Sequence, residues 1–267
     1  MWNLEILYLG KMLVPPEYLF EGITEPVETP YCGFLLQNGQ DNILVDCGVS
    51  EDYFVDGKAF GGFPAEGGSS YVIEALAKHE LKPGDIDTVL YTHLHNDHAG
   101  TCELFPDARH IFQKDEWSNL LNPLPTQKLR KDYDSGVIPK LEKLCTYHIE
   151  GDFEIQPGIS VYKTPGHTLG HQIITVDTQK GRMVLLGDLC NDYLHFFPEL
   201  DEFVDMYGNH CKVKRSAVAR MGVAEPSSII YDQYSWYTSV YKAKTLSNNK
   251  KELVIPGHEW SLLIGQL

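Results

Sequence analysis

The chain has 267 residues, and its 43% hydrophobic and 22% charged residues suit one large α/β domain with a sizeable core, which excludes a disordered or fibrous chain. A formal net charge of −15 argues against a nucleic-acid partner, which calls for a basic face. No stretch approaches the roughly 20 apolar residues of a membrane span, and Met1-Trp2-Asn3-Leu4-Glu5-Ile6 has neither the basic nor the apolar part of an export signal.

The first quarter of the chain reads as strands. Residues 4–9, 32–36 and 43–46 carry apolar runs, with Asn38-Gly39 as the turn of a hairpin. Residues 57–70 hold five glycines and read as a loop. Ser69 or Ser70 caps a helix whose apolar positions Val72, Ile73, Leu76 and Ala77 keep a helical period, ending near Lys82-Pro83-Gly84. Thr88-Val89-Leu90-Tyr91 then forms a short buried strand.

Behind that strand comes the densest chemistry in the chain, Tyr91-Thr92-His93-Leu94-His95-Asn96-Asp97-His98-Ala99-Gly100, with a helix opening at Ala99-Gly100. Three imidazoles and a carboxylate bunched in one strand-to-helix loop are the donor types that zinc and similar ions prefer. A strand at 110–113 and a helix at 115–121 follow, the helix broken by Pro123 and Pro125. Residues 126–145 read as a loop and a short helix, and 152–156, 159–164, 172–177 and 182–187 as strands. Three more donors lie at probable strand ends: His167 in Pro165-Gly166-His167, Asp188 in Gly187-Asp188, and His258 in Pro256-Gly257-His258. A strand end fixes a side chain on a rigid edge and leaves one side open, which suits a catalytic metal. Residues 191–230 fit no simple pattern. Their aromatics (Tyr193, Phe196, Phe197, Phe203, Tyr207) either border a substrate pocket or anchor a long excursion, and a helix follows near 232–245.

The ordered set H-x-H-x-D-H, Gly-His, Gly-Asp and Gly-His resembles that of the metallo-β-lactamase-fold hydrolases. The resemblance runs from the Asn42–Gly48 strand and turn to His258, and it implies a four-layer αβ/βα sandwich over residues 1–267. It further implies that His93, His95 and His167 hold one divalent ion, that Asp97, His98 and His258 hold a second, and that Asp188 bridges them. Zinc is the default ion, with iron, manganese or cobalt as alternatives in such a nitrogen and oxygen site. His95 stands where the oxygen-reducing relatives carry an acid, and Asp188 where many true β-lactamases carry Cys or Ser, so hydrolysis of something other than an antibiotic is expected.

Among the hydrolases the chain is most similar to the N-acyl homoserine lactonases. That likeness implies opening of a small cyclic ester by a metal-bridging hydroxide, with Asp97 shuttling the proton. These lactonases place a tyrosine three residues past the bridging aspartate. Here Asn191 stands at that position and Tyr193 lies five residues on, so either can be the donor to the substrate. A glyoxalase II-like thioesterase is the alternative, although Lys242, Lys244, Lys250 and Lys251 do not match the glutathione grip of that group. A hydrolase of a cyclic amide or phosphodiester, or a non-catalytic metal-binding sensor, is a further alternative. His171 is expected to support a ligand, and Asp46 to support the metal loop. His79, His110, His148, His195 and His210 have no motif partner and are expected at the surface or in packing. The six cysteines (Cys32, Cys47, Cys102, Cys145, Cys190, Cys211) contain no C-x-x-C pair, so free thiols in a cytoplasmic enzyme are expected, with a homodimer as the default assembly.

Overall fold

The computed structural model describes residues 1–227 and 229–264. Seven strands build the first sheet: β1 (Asn3–Val14), β2 (Val27–Gln37), β3 (Asn42–Val45), β4 (Ala65–Gly67), β5 (Thr88–Leu90), β6 (Arg109–Gln113) and β7 (Cys145–Ile149). Their order across the sheet is β4-β1-β2-β3-β5-β6-β7. The next strands are β8 (Phe153–Gln156), β9 (Ile159–Lys163), β10 (Gln172–Thr178) and β11 (Gly181–Leu185). After them β12 (Glu202–Val204) and β13 (His210–Lys212) pair only with each other, and β14 (Val254–Ile255) completes a second sheet ordered β14-β11-β10-β9-β8.

Alternation along the strands dictates the layers, because successive side chains leave a strand on opposite faces. Phe34 and Leu36 of β2, Ile43 and Val45 of β3 and Leu90 of β5 meet Ile159, Val161, Ile174, Val176 and Leu185 between the sheets. Leu35, Leu44 and Val89 point the other way, towards Val72, Ala75 and Leu76 of the helix Ser69–Ala77. On the far side, Ile173 and Val184 pack against Trp236, Val240 and Ala243 of the helix Gln233–Leu246. Helix, sheet, sheet and helix therefore stack as four layers, as the sequence led us to expect.

Four local expectations need correction. The first strand does not stop at residue 9: a register shift between Tyr8 and Lys11 bends it, and it continues to Val14. At the bend Gly10 lies so close to β4 that an added Cβ would stand 2.2 Å from the Glu66 carbonyl, and this pairing makes a strand of residues read as loop. Past the loop and helix expected to end at 145, residues 145–149 form β7, a strand not expected from the sequence and paired in parallel with β6 at the sheet edge. Its Cys-Thr-Tyr-His-Ile run is half exposed and so lacks the apolar signature of a central strand. Finally, the helix expected from Ala99 spans Asn96–Ala99 instead, so Asp97 and His98 lie on it.

The long excursion resolves into a short helix (Tyr193–Phe196), the β12–β13 pair and a turn of helix at Ala217–Arg220. Its aromatics serve mainly as anchors. Phe196 and Phe197 pack with Trp236, Phe203 packs on Trp260, and Tyr207 is exposed. No helix among the described residues is long and apolar enough to cross a membrane.

Candidate metal centre

Four of the loops that follow strands converge on one point. The loop after β5 brings His93, His95, Asp97 and His98, the loop after β9 brings His167, and those after β11 and β14 bring Asp188 and His258. Two cross-sheet bonds clamp the first two loops: Gln172 N donates to Thr92 O at 2.8 Å, and Gln172 Nε2 donates to Tyr91 O at 2.7 Å. The parallel pairing of β11 with β14 sets Asp188 beside His258, and Gly257 N donates to Gly187 O at 3.0 Å.

The donor atoms gather into three overlapping sets: His93, His95 and His167; His93, His98 and Asp188; Asp97, His98 and His258. His167 Nε2 lies 3.2 Å from His93 Nε2 and 3.1 Å from His95 Nδ1. Asp188 divides its two oxygens. Oδ1 stands 3.2 Å from His98 Nε2 and 3.1 Å from His258 Nε2, while Oδ2 stands 3.5 Å from His167 Nε2. Asp97 faces His98 at 3.8 Å and His258 at 3.7 Å. His98 Nε2 and Asp188 Oδ1 are buried yet make no hydrogen bond. Buried nitrogens and carboxylate oxygens that converge on one point, with such unbonded atoms among them, fit two divalent cations.

The electrostatics agree with this division. Burial, reinforced by neighbouring imidazoles, holds His93 and His95 well below the ordinary histidine range, and burial brings His167 down to about 4. Burial thus favours the neutral, lone-pair-donating form of all three. At His98 and His258 burial is overcome by carboxylates, Asp188 foremost, which hold His98 well above its ordinary value and lift His258 to about 9. Asp188 in turn is held well below the carboxylate range, since His258 and His98 outweigh its burial.

A second ring of side chains fixes these donors. Asp46, which adopts a left-handed φ of 57°, accepts from Thr92 N at 2.8 Å, from Thr92 Oγ1 at 2.7 Å and from His98 Nδ1 at 2.8 Å. His258 Nδ1 donates to Pro30 O at 2.7 Å. His171 sits behind the site with Nδ1 against Thr164 Oγ1 at 2.9 Å. Glu116 was not singled out from the sequence, yet it ties the site together. Its Oε1 accepts from Leu94 N and Tyr133 Oη, and its Oε2 from Thr168 Oγ1 and Gly170 N. One buried carboxylate thus joins the loop of His93 and His95 to that of His167. A single Glu at the start of a helix carries no motif, so only the tertiary fold reveals it.

His95, Asp97, Asp188 and His258 line the floor of a cleft that is open at its mouth. Asn191 lines it, with its Oδ1 buried and unpartnered and its backbone carbonyl accepting from His258 N at 2.8 Å. Tyr193 does not reach it. Asp192 caps the next turn through His195 N, which swings Tyr193 outward; its hydroxyl donates to Val254 O at 2.9 Å and its ring lies under Lys251. The cleft walls are apolar and come from elsewhere: Met12, Val14, Leu19, Phe60, Ile229 and Trp260. Tyr31 also lines the cleft, and burial together with the Asp97 charge pushes its phenol well above the ordinary tyrosine range. His110 is buried, its ring held between Tyr91 Oη and Phe105 O, and His195 is buried against Asp192. Each of the six cysteines is unpaired.

Residues 31–258 match the model of the metallo-beta-lactamase superfamily. An N-acyl homoserine lactonase of Bacillus cereus is 32% identical over 165 residues, covering 59% of this chain and 62% of the relative. The lactonase AiiB of Rhizobium rhizogenes is 27% identical over 188 residues, covering 64% and 67%. The chain therefore matches less than two thirds of the Bacillus cereus relative's length. An N-acyl homoserine lactone hydrolase solved with the product N-hexanoyl-L-homoserine at its catalytic metal centre superposes with a TM-score of 0.73 at 23% identity, over 96% of this chain and 92% of that one. The dizinc quorum-quenching lactonase AidC gives 0.68 at 15% identity, over 96% and 87%.

Proposed function

The chain belongs to the metallo-beta-lactamase superfamily, and we propose that it is a dinuclear metal-dependent hydrolase that opens a small cyclic ester, an N-acyl homoserine lactone being the leading substrate. The observation that carries this reading is the split of Asp188, one oxygen towards His98 and His258 and the other towards His167, at the floor of an apolar-walled cleft. His93, His95 and His167 would hold one ion and Asp97, His98 and His258 the other, with Asp188 between them. When bound, two such ions supply a water acidified towards neutrality and an electrophile for the ester carbonyl. Zinc is the first choice of ion, and iron, manganese and cobalt suit the same donors.

The protein's own groups do the rest. Asp97 is the most open of the seven, its side chain 15% exposed, and burial pushes its carboxyl up against the pull of His98 and His258. A carboxyl so placed takes a proton on Oδ1 or Oδ2 and returns it to the departing alkoxide. The Asn191 amide, at the cleft edge, donates to the substrate carbonyl. Met12, Val14, Leu19 and Trp260 exclude water and receive an acyl chain.

The test is hydrolysis by the metal-loaded protein, followed with a pH indicator. The panel runs from γ-butyrolactone to short- and long-chain acyl homoserine lactones, with a glutathione thioester for comparison. Turnover of acylated lactones, lost in Asp188→Ala together with metal content, is expected. Thioester turnover with intact lactones overturns the substrate assignment, and full rate and metal content in Asp188→Ala overturns the dinuclear one.

A further inference from the structure

We propose that Tyr31 is a hydrogen-bond donor to bound substrate, acting from the β2 wall of the cleft on the oxygen that lies towards Asp97 and His258. This rests on the lactone-opening reading above. Tyr31 sits in β2 between two residues paired with β1, Pro30 with Lys11 and Cys32 with Tyr8, which anchors the backbone on either side of it. The Pro30 carbonyl fixes the His258 imidazole, and the next residue sets its ring edge-on to that imidazole, centroids 6.3 Å apart at 68°. Tyr31 is 2% exposed, and its hydroxyl is buried with no hydrogen-bond partner among the described residues.

The hydroxyl shares that state with the side-chain oxygens of Asn96 and Asn191 in the cleft lining, whereas the carboxylates there have partners. Asp132 is paired with Arg130, Asp192 with His195, and Asp97 and Asp188 face the imidazoles. A buried O–H without an acceptor costs stability, and phenylalanine would fill the same space among Leu7, Leu9 and Leu35 without that cost. The hydroxyl therefore has a use that packing does not supply. The His258 ring lies beside that of Tyr31, and Asp97, assigned above to return the proton to the departing alkoxide, faces that imidazole at 3.7 Å. A neutral donor there strengthens its bond as negative charge grows on the ester oxygen, which accelerates ring opening more than it tightens ground-state binding. Asn191 is left to the carbonyl side, so the two donors divide the work.

The test compares wild type, Tyr31→Phe and Tyr193→Phe, each metal-loaded and with metal content measured. Kinetics use N-hexanoyl homoserine lactone, and calorimetry uses the ring-opened hydroxy acid as a binding probe. Tyr31→Phe is expected to keep its metals and to melt no lower than wild type, lose kcat by about 10²-fold with little change in KM, and bind the hydroxy acid several-fold more weakly. Tyr193→Phe is expected to match wild type. If wild type opens the lactone and Tyr31→Phe retains both kcat and hydroxy-acid affinity within about twofold, the role of Tyr31 is refuted and the lactonase reading stands. If wild type itself neither opens the lactone nor binds the hydroxy acid, both readings fall.

Discussion

Replacing Glu116 by Gln tests whether one carboxylate holds two metal-binding loops in register. The side chain is wholly buried and accepts from Leu94 N at 3.0 Å and Tyr133 Oη at 2.8 Å on one oxygen, and from Thr168 Oγ1 at 2.5 Å and Gly170 N at 3.0 Å on the other. Gln keeps the shape but turns one acceptor into a donor amide. On either side that amide meets one hydroxyl, which can rotate to accept, and one backbone N–H, which cannot. A buried N–H stranded in this way costs about 1–3 kcal/mol, and the surviving bonds lose their charge assistance. The sum is a loss of roughly 2–4 kcal/mol. Because Leu94 separates His93 from His95 and Thr168 follows His167, the variant is also expected to bind its ions about 10- to 100-fold more weakly. Urea unfolding with the metals chelated measures the first effect, and competition with a calibrated chelator the second. A midpoint within about 0.5 kcal/mol of wild type together with unchanged chelator resistance would show that the loops hold themselves.

Asp46→Asn removes the acceptor that orients His98 Nδ1, and metal competition should register a loss of about one to two orders of magnitude with the fold retained. Gly100→Ala places a Cβ 2.2 Å from Ser50 N, a backbone atom that cannot yield, so thermal unfolding should fall by the equivalent of at least about 3 kcal/mol or the protein should fail to fold. Burial lowers the pKa of His110 in the folded state, so the unfolded chain takes up a proton first. Its contribution to stability is complete above about pH 6.5 and drains as the pH falls further, at up to about 1.4 kcal/mol per pH unit. The unfolding free energy of His110→Gln should therefore decline less steeply from pH 6.5 to 5 than that of wild type.

The parts of this molecule that were legible in the sequence are those where local chemistry and local structure coincide. His93, His95, Asp97 and His98 share one loop, and His167, Asp188 and His258 each end an apolar run, so residue type and position pointed the same way. The strands 153–156, 159–163 and 172–178 announced themselves by apolar content and turn residues in the same fashion. What stayed hidden depends on partners distant in the chain. Strand β7 exists because β6 offers it an edge, and β4 because Gly10 lets it approach. Glu116 and Tyr31 meet the site across the fold, from a helix start and a mid-sheet strand that carry no motif. Tyr193 misled for the converse reason. Counting residues from Asp188 places it near the centre, but the Asp192 cap turns the backbone and sends its hydroxyl to Val254.

The pairing of β14 with β11 bears on how the protein is made. His258 arrives only through this two-residue strand, after every other donor has been synthesised. His93, His95 and His167 all precede it in the chain, so the first donor set is complete before the second. The second cluster must wait for the chain to emerge past His258. A polypeptide cut short before that residue keeps the means to hold one ion and loses the means to complete the pair. The second donor set is thus tied to the last of the paired strands, and loss of β14 is expected to lower the ion count before it touches the first set.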